Sequence, residues 1–181
     1  MPEGSKLKNI ILALDVGTTQ TGYCFVDEDT FKPIQFGKID NELIYSEIHR
    51  LAEMKCNRRI AIEQFAFYGK ANAMGATTIE AITWNGKFIR ECEHLNIPWE
   101  FVFRKEETML IVGNAKSGDT EVRHALISRF GKTKSGKGTK KNPDFFYGFA
   151  EDVWSAYSVA LVAIMKDKGI TNAKDWSQQE R

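Results

Sequence analysis

The stretch ILALDVGTTQTGYCFVD, residues 11–27, holds two apolar runs joined by a polar turn. The first run ends in a carboxylate, Asp15, and the second spans Tyr23 to Val26. Between them, Gly17-Thr18-Thr19-Gln20 has turn composition, so residues 9–15 and 21–27 read as the two strands of a hairpin. A strand that is apolar to its end and then carries an acid raises the question of what that acid is for.

Working outward, residues 33–39 after Pro33 predict a third strand, which gives an antiparallel start. Leu43, Ile44, Ile48 and Leu51 recur at helical spacing and predict a helix over residues 42–54. RIAIE, residues 59–63, is a short strand that again ends in an acid, Glu63. A helix is expected over residues 71–92, a strand over 98–103, and a helix from Ser117-Gly118-Asp119 to Phe130, closed by Gly131. Residues 149–166 form a strongly apolar last helix, with Asp152 at its start. Three antiparallel strands followed by alternating helix and strand imply an α/β fold, a mixed sheet with helices on its faces. The divisions are a polar extension over residues 1–8, one domain over 9–168 and a polar tail over 169–181.

Composition narrows the class. The 181 residues, 43% hydrophobic, suit one domain with a real core. No apolar run approaches the roughly 20 residues of a membrane helix, and the first residues lack the apolar core of a signal peptide. The expectation is therefore no membrane partner. Cys24, Cys56 and Cys92 are odd in number, far apart and without a CxxC, and read as reduced thiols of an intracellular, cytoplasmic protein. Net charge is +1, but residues 132–141, KTKSGKGTKK, hold five lysines and no acid; without them the chain carries −4. Such a segment suits either a local polyanion contact or a plain solvated loop.

Asp15, Glu63 and Asp152 are the acids that carry chemistry. Each has an ordinary explanation alone: a turn residue for Asp15, a helix-dipole partner for Asp152. Together, at two strand ends and a helix start, they would repel one another unless cations neutralised them. All-oxygen ligands without cysteine or histidine point to Mg²⁺, with Mn²⁺ as a substitute. Two such ions roughly 4 Å apart can activate water and steady the leaving oxygen of a phosphodiester.

These residues resemble the RuvC-type Holliday junction resolvases. Asp15-Val-Gly-Thr-Thr-Gln-Thr-Gly-Tyr23 fits that family's opening D-x-G-[ST]-x-x-T-G-Y, and Ile62-Glu63-Gln64 looks like its I-E-Q. Val112-Gly113 and Val122-Arg123-His124 are similar to the V-G and V-x-H stretch before its basic loop, and the last helix resembles its D-x-x-D-A-[LY]-A. The motifs keep the family's order from about residue 10 to 165, and the compact length is similar to the phage branch. The resemblance implies an RNase H-like fold, a homodimer, and paired Mg²⁺-dependent nicks in four-way or other branched DNA. Asp15, Glu63 and Asp152 take the catalytic and metal-binding places. The chain departs from the family at Ser155, where an acid is usual, with neighbouring Glu151 as a substitute. It departs again at Thr108 and Asp119, where the family carries lysines; Lys105 and Lys116 lie in the same region.

DNA contacts follow from the same resemblance. In the loop after Glu63, Phe67 or Tyr68 is the candidate wedge at the junction, able to stack on an unpaired base, with Lys70 beside it. Phe65 and Phe67 also suit the core by alternation. Lys116 and the loop lysines Lys132, Lys134, Lys137, Lys140 and Lys141 are candidate phosphate contacts. The helix over residues 71–92 is apolar on more than one face, which suits a two-fold dimer as well as burial within one chain. Three other readings compete. D-x-G-T-T also opens the phosphate-binding hairpin of sugar kinases and actin-like ATPases, which need a second domain that this chain lacks. A branched-DNA binder that does not cut is the second. A nuclease of the same fold acting on flaps, forks or RNA–DNA hybrids is the third.

Overall fold

The computed structural model describes residues 7–64 and 75–178. Five strands form one sheet in the order β3-β2-β1-β4-β5: β1 (Asn9–Val16), β2 (Gln20–Asp27), β3 (Pro33–Asp40), β4 (Asn57–Gln64) and β5 (Trp99–Phe103). The first three pair antiparallel, and β4 and β5 join β1 in parallel. This is the mixed α/β sheet expected from the hairpin stretch.

The central strand shows why residues 11–14 are apolar without a break. Ile11 and Ala13 face one side, and Ile10, Leu12 and Leu14 face the other; all five are buried. A sheet covered on both faces demands this pattern. On the first face lies α5 (Glu151–Asp167), buried almost all round from Val153 to Met165, as a helix apolar on every side must be. On the second lie α1 (Asn41–Glu53) and α2 (Ala76–His94). Ile44, Ile48 and Leu51 form the inner stripe of α1. Ala81, Asn85, Phe88 and Cys92 form that of α2.

Three features add to the sequence reading. The described part of α2 buries one face; Ile79 is exposed, while Trp84 and Ile89 are half-buried against the same core as Phe88. Its buried face serves this chain's own sheet, and residues 71–74 of the expected helix lie outside the described residues. After β5 the chain turns at once into a short helix, α3 (Arg104–Glu107), and a single π-helical turn, Thr108–Val112, stopped by Gly113 at φ 86°. No periodic signal marks this element, because it is too short to show a period. The polar tail carries α6 (Ala173–Gln178), whose Trp176 is buried against the α5 core.

Residues 131–149 also have more order than a solvated loop. The Asp144 carboxylate accepts the Lys132 N–H (2.9 Å), the Thr133 N–H and hydroxyl (both 2.7 Å) and the Phe145 N–H (2.8 Å). Those bonds, led by the Thr133 hydroxyl, pull its carboxyl down to about 2. Phe146 and Phe149 then plug the segment into the core beneath Trp154 and Tyr157. The three cysteines are free thiols, Cys24 and Cys92 buried.

Candidate active site

The hairpin turn is built tightly. Gly17 donates its N–H to the Gln20 carbonyl at 3.1 Å, and a Cβ on Gly17 would stand 2.6 Å from that oxygen, so only glycine fits. Buried Asn41, at the start of α1, pins the turn from behind. Its amide donates to the Gly17 and Thr18 carbonyls at 3.1 Å, and its oxygen accepts the Thr21 hydroxyl at 2.6 Å. The end of β1 is thereby held rigid.

Register then aligns the chemistry. Asp15 pairs with Gly22, and Gly22 with Lys38, so these three positions form one row across β1, β2 and β3. Directly paired residues share a face, here the face that α5 covers. Leu14 pairs with Ile62; one residue further, Asp15 and Glu63 leave parallel strands side by side. Gly22 has no side chain, which lets the first turn of α5 settle onto the row and bring Asp152 over it.

The three acids expected from the sequence therefore meet in one region. The Asp15 and Glu63 carboxyls lie beside each other, Asp152 adds its field, and the Ser155 hydroxyl lies close to Asp15. Burial first, and then the Glu63 charge, push the Asp15 carboxyl up to about 8. Burial, followed by the charge of Glu107, raises that of Glu63. Asp152 points elsewhere: its Oδ2 forms an ion pair with the Lys38 ammonium. In this arrangement no three acidic, histidine or cysteine side chains among the described residues converge closely enough to grip a metal ion.

Two hollows flank Asp152. One, of about 280 Å³, is lined by Asp15, Gly17, Thr18, Thr19, Gln20, Lys38 and Asp152. The other, of about 350 Å³, opens among Arg104, Asp119, Arg123, Asp152, Trp154 and Ser155. The Arg123 guanidinium lies 4.9 Å from the centre of the Trp154 ring, a cation–π distance.

Three charged residues here were not among the sequence candidates. Lys38 is one. The others are Arg104 and Glu107, on the short helix after β5. Glu107 is fully buried; one carboxylate oxygen accepts from Arg104 at 3.0 Å and the other has no hydrogen-bond partner. Burial pushes its carboxyl up to about 8, Arg104 pulling it down and the Asp15 charge adding to the rise. Arg104 also pairs with Asp119. The available signal was positional, since Arg104 and Glu107 follow the end of β5, the parallel neighbour of β4, and ligand sites gather outside the carboxyl ends of parallel strands. Lys38 was legible only through hairpin register.

Of the basic candidates, Lys105 lines a separate hollow with Phe103, Met109 and Ile170. Lys116 is exposed before α4 (Asp119–Phe130). Lys132, Lys134, Lys140 and Lys141 are exposed and Lys137 is half-buried. Phe65, Phe67, Tyr68 and Lys70 lie outside the described residues. Glu151, the substitute acid, is exposed at the rim of the larger hollow.

Comparison with known proteins agrees with this architecture. Thermus thermophilus RuvC in complex with Holliday junction substrate superposes with a TM-score of 0.64, at 13% sequence identity, over 90% of this chain and 98% of that one. The fold is RuvC-like. A second structure of Thermus thermophilus RuvC matches with a TM-score of 0.57 at 15% identity, again over 90% of this chain and 98% of that one. No protein-family model matches the chain, and no curated protein matches it significantly. Asp15 stands near the end of the central strand of this RuvC-like sheet. No helix among the described residues is long and apolar enough to cross a membrane.

Proposed function

We propose that this protein is a metal-dependent endonuclease that resolves Holliday junctions and other branched DNA by paired nicks. The observation that supports the reading is the juxtaposition of Asp15 and Glu63 at the ends of adjacent parallel strands of a RuvC-like sheet, with Asp152 beside them on the first turn of α5. The donor set fits a hard divalent cation: every donor is a carboxylate oxygen, and one oxygen of buried Glu107 nearby has no partner. Asp15, Glu63 and Asp152 would hold Mg²⁺ or Mn²⁺, which supplies activation of a water and stabilisation of the leaving oxygen.

The chain's own residues have distinct tasks. Asp15, with its carboxyl raised to about 8 by burial and Glu63, must give up its proton to bind a cation. Ser155 lies close to Asp15 and favours its charged form. Arg104, fixed between Glu107 and Asp119, presents a positive charge in the hollow that Asp152 and Ser155 also line. The ordered lysine segment supplies sequence-independent phosphate contacts along one DNA arm. A homodimer would set two such sites on a two-fold junction.

A specific observation favours a second reading, a branched-DNA binder with weak or no cleavage. Ser155 stands where an acid is expected, and Asp152 is engaged by Lys38. A synthetic four-way junction incubated with Mg²⁺ or Mn²⁺, beside linear duplex and a fork, separates the two. Metal-dependent symmetric nicks support the nuclease; a retarded but intact junction supports the binder.

A further inference from the structure

We propose that Lys38 is an exchangeable counter-charge of the site, holding Asp152 while no cation is bound and turning to a DNA phosphate once a cation takes Asp152. The inference rests on the nuclease reading and assigns a positioning role to a residue outside the acidic set.

Three observations carry it. Lys38 belongs to the Asp15–Gly22–Lys38 row, so the sheet itself aims it at the acids. Its ammonium is bound to Asp152 in the arrangement that brings no three ligands together. Its side chain is 48% exposed and borders the open hollow beside Asp15 and Thr18. A lysine ammonium is a compact charge on a flexible stem, free to change partners. Arg104 differs, since Glu107 and Asp119 hold its guanidinium from two sides. A cation arriving at Asp152 displaces the ammonium and leaves a mobile positive charge within reach of the hollow where a phosphate would lie. Metal binding and DNA binding are then coupled through one side chain, and the coupling must run in both directions.

The test uses wild type, Lys38→Met, Asp152→Asn and the double variant. Mn²⁺ is titrated calorimetrically, and junction affinity is measured in EDTA and in Ca²⁺. Lys38→Met is expected to bind Mn²⁺ about two- to fivefold tighter, the worth of an exposed ion pair, and the gain disappears in the Asp152→Asn background. Junction affinity of Lys38→Met is expected to fall in Ca²⁺, with a salt slope lower by about one, and to match wild type in EDTA. Lys38→Arg restores the Ca²⁺ value. An equal loss of junction affinity in EDTA and Ca²⁺ would make Lys38 a plain phosphate contact and overturn the exchange. So would an Mn²⁺ gain that persists in Asp152→Asn. If wild type binds Mn²⁺ and the junction but Lys38→Met matches it throughout, the role of Lys38 falls alone. If wild type binds neither, the nuclease reading falls with it.

Discussion

Gly22 and Asp152 meet at a distance that leaves no room for a side chain: a Cβ on Gly22 would stand 2.6 Å from the Asp152 carbonyl oxygen and 2.8 Å from its Cβ. This contact sets the height of α5 above the sheet, and so the place of the third acid. Backbone cannot yield as a flexible side chain does. Gly22→Ala is expected to lift the first turn of α5, costing about 1–3 kcal/mol, and to abolish cutting. Thermal melting and the junction assay check both. A variant with wild-type melting and cutting would show that the contact does not place Asp152.

Asp15→Asn separates metal binding from shape. It removes a cation ligand and keeps the volume, so cutting is expected to vanish while junction affinity stays. Normal cutting would remove Asp15 from the site.

The raised carboxyls make stability depend on pH in a definite direction. Asp15 and Glu107 hold their protons up to about 8 in the folded state, whereas unfolded they release them near pH 4. Between about pH 4 and 8 the folded state binds more protons, so stability falls as pH rises and levels off above 8. In EDTA, the melting temperature should drop across this window, and Asp15→Asn or Glu107→Gln should each flatten the drop. A flat wild-type profile would contradict the burial of these acids.

The same protons must leave when a cation binds. Mn²⁺ affinity should therefore climb from pH 6 to 8 and flatten beyond. Calorimetry in two buffers of different ionisation enthalpy counts the protons released. Zero release would place the cation away from Asp15.

Asp144 organises the lysine segment without being basic itself. Asp144→Ala frees the N–H groups of Lys132, Thr133 and Phe145 and should weaken junction binding and lower its salt slope, though every lysine remains. An unchanged slope would take the segment out of the DNA interface. In the folded chain this carboxyl lies near 2, below its unfolded value. Its stabilising effect is therefore present above about pH 4 and lost as pH falls through about 2.

Much of the architecture is legible in the residues themselves. Apolar runs of strand length ending in Asp15 and Glu63, together with the apolar last helix, imply a doubly covered mixed sheet, because local apolar patterning reports directly which faces are buried. The acids stand out for a similar reason: a charge at the end of an apolar strand is conspicuous in one dimension. Other features depend on register and packing, which bring residues together without any local signal. Lys38 reaches Asp152 only because two hairpins align it with Gly22 and Asp15. Glu107 becomes a buried acid only because a four-residue helix turns it under the site. The paired ends of β1 and β4 force the Asp15 and Glu63 carboxyls together, and that proximity, with burial, decides how tightly each keeps its proton. Residue types and their periodicity determined the sheet and named the three acids; the three-dimensional pairing of strands and the seat of α5 decided which charges face them, because electrostatic energy depends on distance through space and on exclusion of water, neither of which is written along the chain.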